Sequence, residues 1–392
     1  MKIALLTDGI FPFSIGGMQK HSYYLTKHLA RKGVWVDLYF CTSGQTSFNW
    51  PDEYFTKEEL HFIRFFEIDF PHYPKLPGHY ILESYRYSEK IFSVLKNNIE
   101  VDFIYIKGFS GWKFLQIQKS VSNCPPIGIN FPGLEIFQYT KGLSSFYERL
   151  LFKAPIKYCL RKSNYVFSLG GKLTEILRTI LKTSQNIIEI PNGVDDFWLR
   201  ETGFPGNKIR RFVFIGRHSR FKGIEILNKV LMHLDLTYDF EFHFIGPIPG
   251  NAQIKYSKIL YHGSQNDEIF IKGILENSDY LVCPSLTEGM PNVILEAMAC
   301  GCGIIATDVG AVSKLVSSET GWLIPPADHI ALEKCMVEAL TITDISLIEM
   351  KQRAISLIGA EFTWERVIDK TIKKIQSEIK THNRNIELTV GR

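Results

Sequence analysis

Short apolar runs alternate with helical patterns along nearly the whole chain. Residues 2–7 (KIALLT) read as a buried strand, and a loop at 8–17 follows. A helical pattern then runs from about Met18 to Lys32, and Val34–Phe40 is the next strand. Strand, loop, helix and strand in this order open a doubly wound parallel sheet. Further strands are predicted at about 60–66, 101–107, 126–131, 165–169 and 187–191, with helices near 79–97 and 144–162. Pro155 is expected to kink or split the second of these helices. Residues 43–78, with Pro51, Pro71, Pro74 and Pro77, break the pattern and read as a surface excursion.

The words Ile190-Pro-Asn-Gly-Val-Asp195 mark a joint, because Pro and Asn-Gly end regular structure and the sheet pattern restarts beyond them. Strands are predicted near 212–215, 240–245, 258–262, 279–283, 304–306 and 321–324, and a last helix at 364–380. The chain thus divides into a first domain at 1–190, a second at 191–363, and a C-terminal helix and tail at 364–392 expected to pack back on the first.

A length of 392 residues suffices for two domains, and 45% hydrophobic with 22% charged residues describes a soluble globular protein. A net charge of +4 argues for no nucleic-acid partner and is compatible with an anionic ligand or a membrane surface. Seven scattered cysteines, an odd number, suggest reduced thiols in a cytoplasm. Cys300-Gly-Cys302 lacks the second ligand pair that a metal site would need. Residues 1–8 are too short for a signal sequence, and no run of about 18 apolar residues offers a membrane span.

Chemistry concentrates at 279–306, read as strand, loop, helix and strand. Glu288 lies in the loop, and Glu296 follows after seven residues, about two turns into a helix from Met290 to Ala299. Gly289 allows close backbone approach, Pro291 suits a first helical turn, and the free N–H groups there favour a phosphate. Taken alone, the two glutamates are as readily surface carboxylates. A second cluster follows the strand at 212–215: Gly216-Arg217, then Lys222-Gly223. An Arg can fork to two phosphate oxygens and a Lys adds a point charge, although His218 and Arg220 nearby also fit a solvated basic loop. Gly16-Gly17 after the first strand suits either a tight turn or backbone approach to a phosphate or sugar. No Asp-x-Asp occurs, so a nucleotide diphosphate has no evident Mg²⁺ cradle.

Glu288-Gly-Met-Pro-Asn292, Ala299-Cys-Gly-Cys-Gly303 and Thr307-Asp-Val-Gly310 together closely resemble the retaining glycosyltransferases of family 4. Gly216-Arg217…Lys222-Gly223, Gly16-Gly17 followed by Gln19 and His21, and the words at 190–195 extend the resemblance over nearly the whole chain. It implies a GT-B fold, two facing Rossmann-like domains with parallel sheets and a deep cleft between them. The implied reaction moves a sugar from a nucleotide diphosphate to a hydroxyl of a glycan or lipid-linked glycan, with retention, in bacterial cell-surface glycan assembly. Arg217 and Lys222, with Gly216, would hold the diphosphate. Glu288 with Gly289, Met290, Pro291 and Asn292 would hold the sugar, and Glu296 the ribose. Gly16 and Gly17 would close from the first domain. Glu288, Arg217 and Lys222 are the catalytic expectation, with no cofactor and no metal.

One position departs. Ile129–Glu135 (INFPGLE) resembles the family's first-domain stretch ending in His-Gly-Leu-Glu, and Pro132 stands at the His. Proline offers no side-chain donor or acceptor, so a sugar with a methyl group or no carbon there, a 6-deoxy sugar or pentose, is expected as donor. Two other classes fit the same residues: a non-catalytic nucleotide-sugar-binding subunit, and a sugar-nucleotide epimerase or hydrolase. Finally, Lys141, Arg149, Lys153, Lys157, Arg161 and Lys162 face one acid, Glu148, with Phe146, Tyr147, Leu150, Leu151 and Phe152 interleaved. That pattern fits peripheral contact with the inner face of a membrane, or an ordinary helix with its apolar side inward.

Overall fold

The apolar runs become two parallel sheets. The computed structural model describes residues 1–392 except 15, 43–49, 75–77, 122, 139–142, 184–185, 202, 205, 207, 235–236 and 391–392, and omits the side chains of 143–146, 148 and 385–390. The chain divides into two units, the first comprising 1–169, 174–190 and 367–392, the second 170–173 and 191–366. Parts of the predicted excursion at 43–78 and of the basic segment at 141–162 lie outside the described residues.

Unit 1 contains β1 (Lys2–Leu6), β2 (Trp35–Phe40), β3 (Ile63–Glu67), β4 (Phe103–Lys107), β5 (Ile127–Asn130), β6 (Tyr165–Ser168) and β7 (Ile187–Glu189). Their order is β3-β2-β1-β4-β5-β6-β7, and Leu6 pairs with Tyr39 on one side and Ile106 on the other. The chain begins at the centre, winds outward through β2 and β3, then returns to β1's other flank. β1 and β4 therefore border a topological switch point, where parallel sheets bind ligands at their carboxyl edge. β4 is buried along its whole length, as expected of a strand covered on both faces.

Unit 2 repeats this logic with β8 (Arg210–Ile215), β9 (Phe240–Ile245), β10 (Ile259–Tyr261), β11 (Tyr280–Cys283), β12 (Gly303–Thr307) and β13 (Gly321–Ile324). The order β10-β9-β8-β11-β12-β13 puts its switch point between β8 and β11. Phe212, Phe242 and Phe244 pack with Leu227 and Leu231 of the helix Ile224–Leu234 and Met336 of the helix His329–Thr341. Each such side chain contributes about 1.5–3 kcal/mol when fully buried.

Pro155 does not split its helix, which runs unbroken over Leu143–Lys162. The proline removes the bond to the carbonyl of Leu151, and that residue is exposed, so water can satisfy the freed oxygen. The last helix extends over Trp364–Val390, and its residues from Val367 belong to unit 1, where Asp369 meets Lys32 at 2.9 Å. No helix among the described residues is long and apolar enough to cross a membrane.

Candidate functional site

Two loops meet at the switch point of unit 2. The loop after β8 carries Gly216, Arg217, Lys222 and Gly223, and the loop after β11 carries Glu288 and Gly289. Gly223 has φ +68°, and a Cβ there would lie 2.1 Å from the Pro284 carbonyl oxygen. Only glycine lets the two backbones approach so closely. Beside it the Leu286 N–H donates to the Phe221 carbonyl at 2.7 Å. This contact brings Lys222 Nζ to 2.6 Å from Glu288 Oε1, with side-chain exposures of 26% and 13%. Burial pulls the Lys222 ammonium down, and the Glu288 carboxylate more than reverses this, so its pKa lies above the ordinary value. Arg217 is exposed and close enough for its charge to act on Lys222.

Further segments hold the Glu288 loop. Gly310, at φ +55°, sits so close that a Cβ would lie 2.2 Å from the Glu288 carbonyl oxygen, and the Ala311 N–H donates to Gly289 O at 2.7 Å. Asn192, buried in the joint, donates through Nδ2 to Met290 O at 2.9 Å and to Asn292 Oδ1 at 3.1 Å. Asn192 is a positioning residue that the sequence reading passed over. The words at 190–195 were its signal, read there only as a break between domains. Met290 is buried, and its Sδ accepts from the Asn192 N–H at 3.2 Å.

The helix begins at Asn292, two residues later than expected, and runs to Ala299. Pro291 is therefore its N-cap rather than a member of its first turn, with ψ 121°. Its carbonyl accepts from Ile294 and Leu295 at 3.1 and 3.4 Å. Glu296 is half-buried and lies about 6 Å along the helix from Asn292. Gly216, Arg217, Lys222, Glu288, Gly289, Pro291 and Asn292 thus gather around the carboxyl edge of β8 and β11, with Glu296 one turn further in. Gly16, Gly17 and Pro132 belong to unit 1, the glycines at the start of the helix Gly17–Arg31 and Pro132 two residues beyond β5.

The carboxyl edge of unit 1 carries a cluster of which the sequence singled out only Gln19 and His21. Lys107 ends β4 fully buried, its Nζ donating to Asn130 Oδ1 at 2.9 Å and lying 3.1 Å from His21 Nδ1. Burial pulls Lys107 down to about 7, partly opposed by the Asp8 charge. Burial and the Lys107 charge hold the His21 imidazole well below its usual range. Asp8, just past β1, is raised to about 6 by burial against its hydrogen bonds, including those to Gln19 and Tyr80. Polar residues ending apolar strands were the available signal. Among the described residues, no three His, Cys, Asp or Glu side chains gather as a metal site.

Residues 209–341 match the family described as glycosyl transferases group 1. Unit 2 is a group 1 glycosyl transferase domain. The chain is 28% identical over 199 residues to TuaC of Bacillus subtilis, whose name gives it a provisional place as a teichuronic acid biosynthesis glycosyltransferase. That match covers 48% of this chain and 50% of TuaC, so the chain spans about half the length of this curated relative. Among solved structures, sucrose-phosphate synthase from Thermosynechococcus elongatus aligns over 97% of this chain and 99% of that one, with a TM-score of 0.78 at 18% identity. Anabaena HepE, solved in complex with UDP and glucose, aligns over 96% of this chain and 100% of its own, with a TM-score of 0.68 at 16% identity. The group 1 domain and the two parallel α/β units make the fold GT-B.

Proposed function

We propose that this group 1 protein is a retaining glycosyltransferase that moves a sugar from a nucleotide diphosphate to an acceptor hydroxyl in cell-surface glycan assembly. The observation that carries the reading is the Lys222–Glu288 pair at the switch point of unit 2, clamped by the Gly310 turn and Asn192. A cation kept charged by its partner and a carboxylate beside it are what a leaving diphosphate and a sugar hydroxyl require. In this reading Lys222 and the exposed Arg217 take up charge as the sugar–phosphate bond breaks. Glu288 accepts from a sugar hydroxyl, with Gly289 to Asn292 completing that pocket, and Glu296 accepts from the ribose. No resident metal is required, and activity is expected to survive EDTA. Gly16 and Gly17 act on the donor from unit 1, and Pro132 biases donor choice toward a 6-deoxy sugar or pentose. The name of TuaC supports glycan assembly, and HepE with UDP and glucose supports a nucleotide-sugar donor.

The acceptor is a glycan or lipid-linked glycan, and the helix Leu143–Lys162 rests against anionic lipid in this reading. Arg149, Lys153 and Lys157 line an open groove of about 390 Å³ together with Leu150 and Ala154. Tyr147 and Leu150 are 61% and 66% exposed beside it. Equal flotation with anionic and neutral vesicles would remove the membrane contact. A second reading, a nucleotide-sugar-binding subunit without turnover, rests on Pro132.

A thermal-shift panel of nucleotide sugars, followed by turnover with the strongest binder, tests the proposal. A ligand at a hundred times its dissociation constant stabilises by about 2.7 kcal/mol. No shift with any nucleotide sugar would overturn it, and binding without transfer to acceptor or water would favour the subunit.

A further inference from the structure

The short segment Gly170–Leu173 belongs to unit 2, although the chain on either side of it belongs to unit 1. It docks on the turn at 308–311, which holds the Glu288 loop. Gly171, at φ +56°, lies so close that a Cβ there would stand 2.8 Å from the Gly310 carbonyl oxygen and 3.0 Å from the Ala311 Cα. Gly310 in turn has no room for a Cβ, which would lie 2.2 and 2.3 Å from the carbonyl oxygens of Glu288 and Gly289. Three stretches of backbone are thus in direct contact, and both contacts require glycine. The Lys172 N–H donates to Gly310 O at 2.9 Å. The Lys172 ammonium donates to the Asp308 carbonyl and pairs with Asp308 Oδ2 at 2.9 Å. Asp308 Oδ1 is buried with no hydrogen-bond partner among the described residues, so this carboxylate leans on Lys172 for compensation.

As a bare ion pair this contact would contribute little, since the two side chains are 44% and 37% exposed. Its place gives it leverage. Without Lys172 the covered oxygen of Asp308 gains water only if the carboxylate or its segment shifts, and that segment carries the Gly310 turn packed on the Glu288 backbone. We propose that Lys172 is a positioning residue for Glu288, holding through Asp308 and the Gly310 turn the loop that sets the Lys222–Glu288 contact. It acts through backbone, from Lys172 to Gly310 to Glu288, and so fixes where the Glu288 carboxylate stands. The role of Glu288 toward a sugar rests on the glycosyltransferase reading, whereas its positioning by Lys172 does not.

Lysine side-chain NMR on the full chain tests the positioning without any ligand. An ammonium held against a carboxylate exchanges its protons slowly with water, so Lys222 is expected to give a protected signal, assigned by its loss in Lys222→Met. Lys351, buried on Asp279 at 2.7 Å, supplies a reference signal in the same spectrum. Lys172→Met is expected to speed Lys222 exchange by about tenfold or more and to leave Lys351 unchanged. Its melting temperature should stay within about 4 °C of wild type, the scale of losing an exposed pair. Lys172→Arg, which keeps the charge, is expected to restore most of the protection. Turnover of UDP-glucose, UDP-xylose and GDP-fucose is the second readout, with kcat in Lys172→Met expected to fall by about tenfold to a hundredfold. UDP and GDP binding should stay within about threefold of wild type. No protected Lys222 signal in wild type, unchanged Lys222 exchange in a folded Lys172→Met protein, or equal acceleration at Lys222 and Lys351 would each overturn the proposal. Where wild type is active, an unchanged kcat does the same. If Lys172→Met fails to fold, Asp308→Asn, which keeps the side chain's shape, is read in its place. Failure of wild type to turn over any of these donors counts against the glycosyltransferase reading, and the exchange data still decide the positioning.

Discussion

Lys107 and Lys222 occupy comparable places, at the carboxyl edge of a parallel sheet beside its switch point, yet their surroundings drive them in opposite directions. Lys222 has a carboxylate 2.6 Å away, and its pKa lies above the ordinary value. Lys107 has two uncharged hydrogen-bond partners and full burial, and it falls to about 7. The fold sets the location, and the partner sets the charge. An edge with a partly exposed cation whose charge is favoured by a carboxylate partner suits an anionic ligand. An edge whose lysine is fully covered offers no such cation.

Glu288→Ala has the largest expected effect, because it removes the carboxylate that meets the sugar in the proposed function while leaving Lys222, 26% exposed, to face the diphosphate. Transfer is expected to fall by about 10²–10³, the scale of losing one preorganised electrostatic contact. Nucleoside diphosphate binding should stay within a few-fold of wild type. Measuring both on one preparation checks this, and a variant that still transfers at the wild-type rate would move the sugar site elsewhere. Glu296→Ala comes next. Losing a charged hydrogen bond to the ribose is expected to weaken nucleotide binding by about 1.5–3 kcal/mol, read by titration calorimetry, with little change in how bound donor reacts.

The smallest effect concerns stability in unit 1. The folded Lys107 titrates near 7 rather than at the ordinary 10.5, so between those values the folded protein holds fewer protons than the unfolded chain. Stability from this group therefore rises with pH across that window, by at most about 1.4 kcal/mol per pH unit. Lys107→Met should remove this rise, so the melting temperature of the wild type should climb relative to that of the variant from pH 7 toward 9. A constant difference would mean that Lys107 titrates normally.

The strands were legible because parallel strands buried on both faces read as continuous apolar runs, as FIYIK at 103–107 and YLVC at 280–283 do. Individual residues of the candidate site were legible too, Glu288 and Lys222 among them. Their pairing was not, since the two stand 66 positions apart and meet only because β11 lies beside β8. The same holds for Asp8 and Lys107, brought together by the pairing of β1 with β4. Strand order is a property of the sheet and leaves little local trace. Asn192 and Gly310 were seen as words, yet their work on the Glu288 loop depends on contacts across 98 and 22 positions. Pro155 leaves its helix unsplit because a proline's cost depends on whether the freed carbonyl can reach water, and periodicity does not report that.

The central claim is that the edge with the paired lysine binds the diphosphate and the edge with the covered lysine does not. Titration calorimetry with UDP, GDP, ADP and dTDP on wild type, Lys222→Met and Lys107→Met tests it most directly. The account predicts that at least one nucleotide binds wild type, that Lys222→Met weakens it by about tenfold or more, and that Lys107→Met leaves it unchanged. Equal losses in both variants, a loss in Lys107→Met alone, or no nucleotide binding to wild type would contradict it.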